Sequence, residues 1–459
     1  MFARALVFED QNLRLAIVTL DAVAIGGICD VRDEFLPELR ARIGRELGIP
    51  GHHMLVNASH THPPGTILCP HDELLERTFH AVSEAVGNLC EVRVGAGRGH
   101  NDRISMNRNL RMKNGKFWTI RHTNPCPPDE DIAGVGPIDP DIGVLRVDRL
   151  DGTPLAVVYN FACHLLFGDA LGSITANFVG IASGMIESTL GHNATAFFLQ
   201  GAAGDIMDIH FKNFWQPRDI EPLGEQLGRS VLKAVREIRT SVGGLAVIDE
   251  YVDFPRRRDI PERIAKLREE QQELLGSLRF TTLNFKSFLH LYLQQTLFPE
   301  YPAHDAWSYM QEKTQSSNNS ALQDMKSFTA ELVEKYRANI RAMERLAHIQ
   351  DDIATFERHA EINRLGGSDV ISAELQGIRI GDFVLLGAPL EVFSEVGMNI
   401  KKSSPHPHTH IAAFSNGYMH YGAPADFYDK GGYETTECFL APEWQEIFER
   451  KAREILGRI

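Results

Sequence analysis

Five short apolar runs in this chain each close on a histidine or a carboxylate, and no other feature limits the fold as tightly. They are RLAIVTL running into Asp21, HHMLVNAS (from His52) into His60 and His62, LAVVYNFAC into His164, TAFFLQGAAG into Asp205, and FVLLGAPL into Glu391. Runs of this length, rich in β-branched and aromatic residues, read as strands. Between them lie amphipathic stretches. Residues 31–48 place Val31, Phe35, Leu36, Leu39, Ile43 and Leu47 at helical spacing, and Gly48 is the residue that stops the helix. Hairpin signals sit at Asp151-Gly152 and at Gly381-Asp382, each between two strand-like runs. The alternation predicts an α/β fold of mixed sheets flanked by helices. Open α/β sheets usually keep their chemistry at the carboxyl ends of strands, so the residues that close the runs are the first candidates for a site.

Residues 256–365 break this rhythm. Ile264, Leu267, Leu274, Leu275 and Leu278 keep helical spacing, as do Leu332, Val333, Tyr336, Ile340, Met343 and Leu346 further on. This predicts a helical hairpin inserted into an α/β domain made of residues 1–255 and 366–459. The joining segment holds Phe280, Phe285, Phe288, Tyr292, Phe298, Tyr301, Trp307 and Tyr309. Such a cluster serves either core or dimer packing or an apolar lid over a site, and a homodimer is one expectation it raises.

Charge and composition narrow the partners. With 47 basic against 61 acidic residues the formal charge is −14, which argues against a nucleic-acid binder and leaves a small molecule as the expected substrate. No apolar run approaches the ~20 residues that cross a bilayer, and the amino terminus lacks the charged head and apolar core of a secretory leader. The expectation is a cytoplasmic protein without membrane insertion. Cys29, Cys69, Cys90, Cys126, Cys163 and Cys438 form no CxxC pair, so neither a disulfide framework nor a thiolate zinc knuckle is indicated.

The segment NASHTHPPG (57–65) carries the densest chemistry. Residues i and i+2 of a strand share a face, so His60 and His62 can point into one cleft, with Pro63 and Pro64 stiffening the exit. Taken alone the pair reads as metal ligands, as an acid and a base, or as hydrogen-bonded residues at a strand end. His164, Glu391 and the tyrosine-rich FSNGYMHYG (414–422) add nitrogen and oxygen groups from other strand ends. Together they are the kind of set that a catalytic Zn²⁺ accepts while leaving a place for water.

Several blocks resemble, in order, the neutral (non-lysosomal) ceramidases. NASHTHPPG resembles that family's ATHTHSGPGG, MNRN around Arg108 its NRSP, and APLEVF its PGEF; GPIDPDIGVLRV followed by NFACH resembles another of its blocks. YMHYGAPADFYDKGGYE (418–434) resembles YxxYxTxxEEYxxxxYE, and QGAAGDIMDIH (200–210) lies where the family has GDVSPN. The matches span roughly residues 10–255 and 371–435. The resemblance implies a ceramidase-like catalytic domain holding one zinc ion through His60, His164, Glu391 and Tyr421. It implies that His62, Arg108 and Tyr433 line the substrate carbonyl.

The chemistry of these residues agrees. Zinc polarises a carbonyl and lowers the pKa of its water towards ~7, while a guanidinium, a phenol and an imidazole can donate to a growing oxyanion. His62 is the preferred proton shuttle and Asp208 the second. The expected activity is hydrolysis of an amide, or less readily an ester, in a small soluble molecule: an amidohydrolase acting on C–N bonds other than peptide bonds.

The departures from the family bear on the substrate. The hexapeptide's serine is replaced by Met207, whose thioether cannot attack a carbonyl, so any hydrolysis falls to metal-activated water. Asp205, Asp208 and His210 in the same turn can stand behind the ligands, act as a base, hold a second ion, or cap the following turn. Neither the family's secretory leader nor its carboxyl-terminal immunoglobulin-like domain is expected here; after Glu434 only the amphipathic PEWQEIFERKAREIL is expected, which disfavours membrane ceramide as substrate. Without the serine two further readings stand: a metal-dependent lyase or isomerase in which His62 or Tyr433 moves a proton, and a non-catalytic metal- or ligand-binding protein.

Overall fold

The strand Arg14–Leu20 buries Leu15 and Ile17 on one face and Ala16, Val18 and Leu20 on the other. Pro154–Phe161 does the same, with Ala156 and Val158 opposed to Val157, Tyr159 and Phe161. A strand covered on both faces has no solvent side to fill with polar residues, so it reads as a continuous apolar run. Each fully buried Val, Leu or Ile contributes about 1.5–3 kcal/mol relative to exposure.

The computed structural model describes all residues except 1, 12, 29–30, 63–68, 121–126, 167–173, 210–218 and 298–320, and the side chains of 321–327. Pro63, Pro64, His210, Cys29, Cys126, Phe298, Tyr301, Trp307 and Tyr309 therefore lie outside the described residues. The chain divides into two compact units, Met1–Arg257 with Ser368–Ile459, and Arg258–Gly367.

In the larger unit three sheets share one inner layer. The first orders Ala3–Glu9, Arg14–Leu20 and Met54–Ala58, antiparallel then parallel. The second orders Thr195–Gln200, Pro154–Phe161, Asp141–Arg149 and Val92–His100. The third orders Leu245–Pro255, Val370–Ile380, Phe383–Gly387 and His408–Ala412. Leu15, Leu55, Leu145, Val158, Phe197, Ile378 and Leu385 from all three meet in one apolar cluster. Helices cover the outer faces: Asn177–Leu190 and Glu221–Glu237 pack on the second sheet, while Phe35–Leu47, Ser394–Ser403 and Trp444–Arg458 pack on the others. This is a mixed α/β architecture. The helix expected from residue 31 begins at Phe35, and the strand expected from His52 begins at Met54 because Gly51–His53 forms a 3-10 turn.

The smaller unit contains Ile260–Ser277, Phe285–Leu297 and the 46-residue helix Ala321–Gly366, roughly 69 Å long at 1.5 Å per residue. Arg345 grips Glu270 through Nε and Nη2 at 2.7 and 2.8 Å, and Phe288 stacks on Tyr336 with ring centroids 4.5 Å apart. The long helix buries Val333, Ala342, Ile349, Ile353 and Phe356. Met343, which the sequence places in the apolar stripe, is 61% exposed, because the buried line passes through Ala342 instead.

Candidate metal centre

His60 and His164 leave the ends of strands in two different sheets, Met54–Ala58 and Pro154–Phe161, and a buried amide ties those ends together. Gln200 Nε2 donates to the carbonyls of Ser59 (3.2 Å) and Cys163 (2.8 Å), the residues immediately before the two histidines. A parallel bridge between Thr61 and Leu165 continues the join, with His62 N donating to Leu165 O at 3.1 Å.

Both imidazoles are fixed in orientation. His60 Nδ1 meets the Val23 carbonyl at 2.7 Å and His164 Nδ1 meets that of Ala203 at 2.6 Å. A carbonyl only accepts, so each Nδ1 carries the proton and each Nε2 keeps its lone pair. Burial pushes the pKa of both rings well below the ordinary histidine range, and for His164 the Arg108 charge acts in the same direction. They are neutral imidazoles, the form that binds a metal.

The two Nε2 atoms converge on Glu391. Its Oε2 lies 3.1 Å from His164 Nε2 and 3.7 Å from His60 Nε2. His62, half-buried, brings its Nε2 to 3.1 Å from that of His60, and the three histidines offer nitrogens within 4.8 Å of one another. His164 Nε2 and Glu391 Oε2 are both buried and, among the described residues, have no hydrogen-bond partner. Such orphans cost about 1–3 kcal/mol each, more when charged, and a shared cation would satisfy them together. The donor set of imidazole nitrogens and one carboxylate oxygen fits zinc.

Backbone strain marks the same place. His60 has φ 62° and Phe414, stacked on its ring at 4.0 Å, has φ 55°. Residues other than glycine rarely enter this left-handed region, at a cost of about 1–3 kcal/mol each.

Glu391 arrives through a two-residue strand, Glu391–Val392, which pairs in parallel with Tyr421–Gly422 so that Glu391 stands opposite Tyr421. Gly204 packs beneath it: a Cβ there would lie 2.5 Å from the Glu391 carbonyl oxygen, so no side chain is tolerated without a backbone shift. The Tyr421 hydroxyl accepts from Arg108 Nη2 at 3.0 Å. Burial, followed by the Glu391 charge, raises the pKa of that phenol well above its ordinary value. Among the described residues no hydrogen bond or ring contact joins Tyr421 to the imidazoles.

Arg108 is itself locked. Its Nε donates to Glu434 Oε1 at 2.6 Å and its Nη2 also to Gly204 O at 2.8 Å, which among the described residues leaves Nη1 without a hydrogen bond. Burial alone would lower its pKa, but Tyr421, Glu434 and Glu391 together hold it above the ordinary value, so it is a cation. The other Glu434 oxygen accepts from Thr119 Oγ1 at 2.9 Å. Tyr433 meets Tyr421 edge-on, with ring centroids 5.6 Å apart.

The turn after Gln200 resolves differently. Asp205 Oδ1 accepts from the Ser394 amide (2.7 Å), and Oδ2 accepts from Asn107 Nδ2 (2.6 Å) and Ser394 Oγ (3.0 Å). Both oxygens are engaged at the start of helix Ser394–Ser403 and by Asn107, distant in sequence, and not in the following turn, and burial pushes this carboxyl up to about 6. Asp208 is buried opposite Ser105 on a short strand and does not join the histidine cluster. Met207 packs with Leu110 and Ile120 in a small apolar cluster, so it is a core residue.

Four residues that matter here escape a reading of the sequence: Gln200, Phe414, Tyr418 and Glu434. Two had a signal. Tyr418 opens the Tyr-x-x-Tyr motif and Glu434 directly follows Tyr433.

The chain has a neutral ceramidase-like fold. It resembles the crystal structure of neutral ceramidase from Pseudomonas aeruginosa with a TM-score of 0.60 and 18% identity, over 100% of this chain and 69% of that one. A ceramidase complexed with C2 is similar at TM-score 0.61 and 17% identity, covering 99% and 69%. No protein-family model matches the chain, and no curated protein does. At such identities the likeness is one of fold, and a fold alone does not fix the chemistry of its site.

Proposed function

We propose that the chain is a zinc-dependent hydrolase of an amide bond, less readily an ester, in a small soluble molecule. The observation that carries this reading is the convergence of His60 Nε2, His164 Nε2 and Glu391 Oε2, two of which are buried without a hydrogen-bond partner. His60, His164, Glu391 and Tyr421 would hold the ion. When bound, zinc supplies a Lewis acid that polarises the carbonyl and makes water a better nucleophile near neutral pH.

The chain's own groups do the remainder. Arg108, pinned through Nε and Nη2, keeps Nη1 as the donor available to the carbonyl oxygen as negative charge grows there, and the Tyr433 hydroxyl adds a second donor. His62 takes the proton from the attacking water and returns it to the leaving nitrogen as the C–N bond breaks. With Met207 in a small apolar cluster, no covalent acyl intermediate passes through that position.

A cytoplasmic setting is part of this reading. Among the described residues no helix is long and apolar enough to cross a membrane.

Metal analysis joined to a screen of N-acyl and ester substrates in H₂¹⁸O tests the proposal. About one zinc per chain and label in a product carboxylate are expected. Full turnover by rigorously metal-free protein, or product free of label, would overturn it. His62→Ala is expected to retain zinc while turnover falls roughly 10²–10⁴-fold. Equal zinc loss in His60→Ala and His62→Ala would instead make His62 a third imidazole ligand, an arrangement the 4.8 Å spacing allows.

A further inference from the structure

We infer that Tyr418 is a positioning residue that decides which oxygen of Glu391 faces the imidazoles; this rests on the metal reading above. The two carboxylate oxygens differ. Oε1 accepts a hydrogen bond from the Tyr418 hydroxyl at 2.5 Å, whereas Oε2 has no hydrogen-bond partner and lies 3.1 Å from His164 Nε2. A phenol donating to a carboxylate at this length makes a strong charge-assisted bond. It holds the carboxylate plane and leaves one oxygen for a cation. Without it, rotation about the last side-chain bond would spread the donor over several directions.

Tyr418 is built to stay in place. Gly27 (φ 76°) lies against it so closely that a Cβ there would be 2.9 Å from the Tyr418 carbonyl oxygen and 3.2 Å from Cδ1. Phe414 lies nearly parallel to the ring at 6.4 Å, and His420 flanks it at 5.0 Å. The backbone on either side of Glu391 is stitched to the same loop, with Met419 N donating to Pro389 O at 2.7 Å and Glu391 N to His420 O at 2.9 Å. Phenol and carboxylate therefore move as one body. Tyr421 has a different partner, since its hydroxyl is taken by Arg108.

Zinc affinity, measured by chelator competition on the full chain, provides the test. Tyr418→Phe removes one oxygen and is expected to weaken zinc roughly 10–100-fold, the range for losing a group that orients a ligand. In a Glu391→Gln background the same change should add little, because both act through one carboxylate. Gly27→Ala crowds the ring without removing either oxygen and should weaken zinc in the same direction. A merely structural tyrosine would lower the melting temperature of metal-free protein and leave zinc affinity alone. Wild-type affinity in either folded variant, or additive losses in the double variant, would overturn the inference. A wild-type chain that binds no zinc would overturn the metal reading, and this inference with it.

Discussion

His164→Ala is expected to abolish both zinc retention and amide turnover. The substitution removes one imidazole and leaves the buried Glu391 Oε2 without its nearest neighbour, at 3.1 Å in the intact chain. Zinc content should fall from about one equivalent per chain to near none. Several kcal/mol of transition-state stabilisation would go with it, on the order of a thousandfold or more in rate. The fold should survive, because a neutral, fully buried imidazole with an orphaned nitrogen is poor at stabilising its surroundings. Inductively coupled plasma analysis beside a substrate assay reads both effects. A variant that keeps stoichiometric zinc and more than about a tenth of wild-type turnover would be incompatible with the proposed ligand set.

Glu434→Ala should be the most destabilising single change near the site. It leaves the Arg108 guanidinium buried against Tyr421 and Gly204 O without its hydrogen-bonded carboxylate, and it removes one of two acceptors of Thr119, the other being Asn109 Oδ1. Breaking a buried pair from one side typically costs about 3–5 kcal/mol. Glu434→Gln keeps the volume and an acceptor and should lose less. Urea unfolding of the metal-free proteins measures both losses, which keeps zinc out of the comparison. A loss below about 1 kcal/mol in Glu434→Ala would show that Arg108 finds another counter-charge.

What the sequence reveals and what it hides follow from the range of each interaction. Arg14–Leu20, Asp141–Arg149, Pro154–Phe161 and Phe383–Gly387 were legible because apolar runs and turn residues are local signals. The residue types of the site were legible too, at the ends of those runs. That His60, His164, Glu391 and Tyr421 belong to one set was implied only by the family resemblance, and the bonds that place them were not legible. Glu391 and Tyr421 become neighbours through a parallel pair only two residues long, too short for any periodicity to register. Gln200 looks like an ordinary strand end until the carbonyls of Ser59 and Cys163 are both seen to converge on it. In the helical unit the spacing marked Ile260–Ser277 and Ala321–Gly366 but missed Phe285–Leu297 inside the joining segment, and it assigned Met343 to the wrong side, because a 46-residue helix rotates its buried line away from any one short template.

The smaller unit also separates the site's parts in time. His60, Arg108 and His164 precede residues 258–367, whereas Glu391, Tyr418, Tyr421 and Glu434 follow them. The stretch from His164 to Glu391 is about 230 residues, or roughly ten to fifty seconds of synthesis at about 5–20 residues per second. During that interval a ribosome-bound chain presents two histidines with no carboxylate opposite and an arginine with no counter-ion. Both histidines are therefore made well before the carboxylate, and a chain truncated anywhere between His164 and Glu391 would contain both histidines and still have no centre.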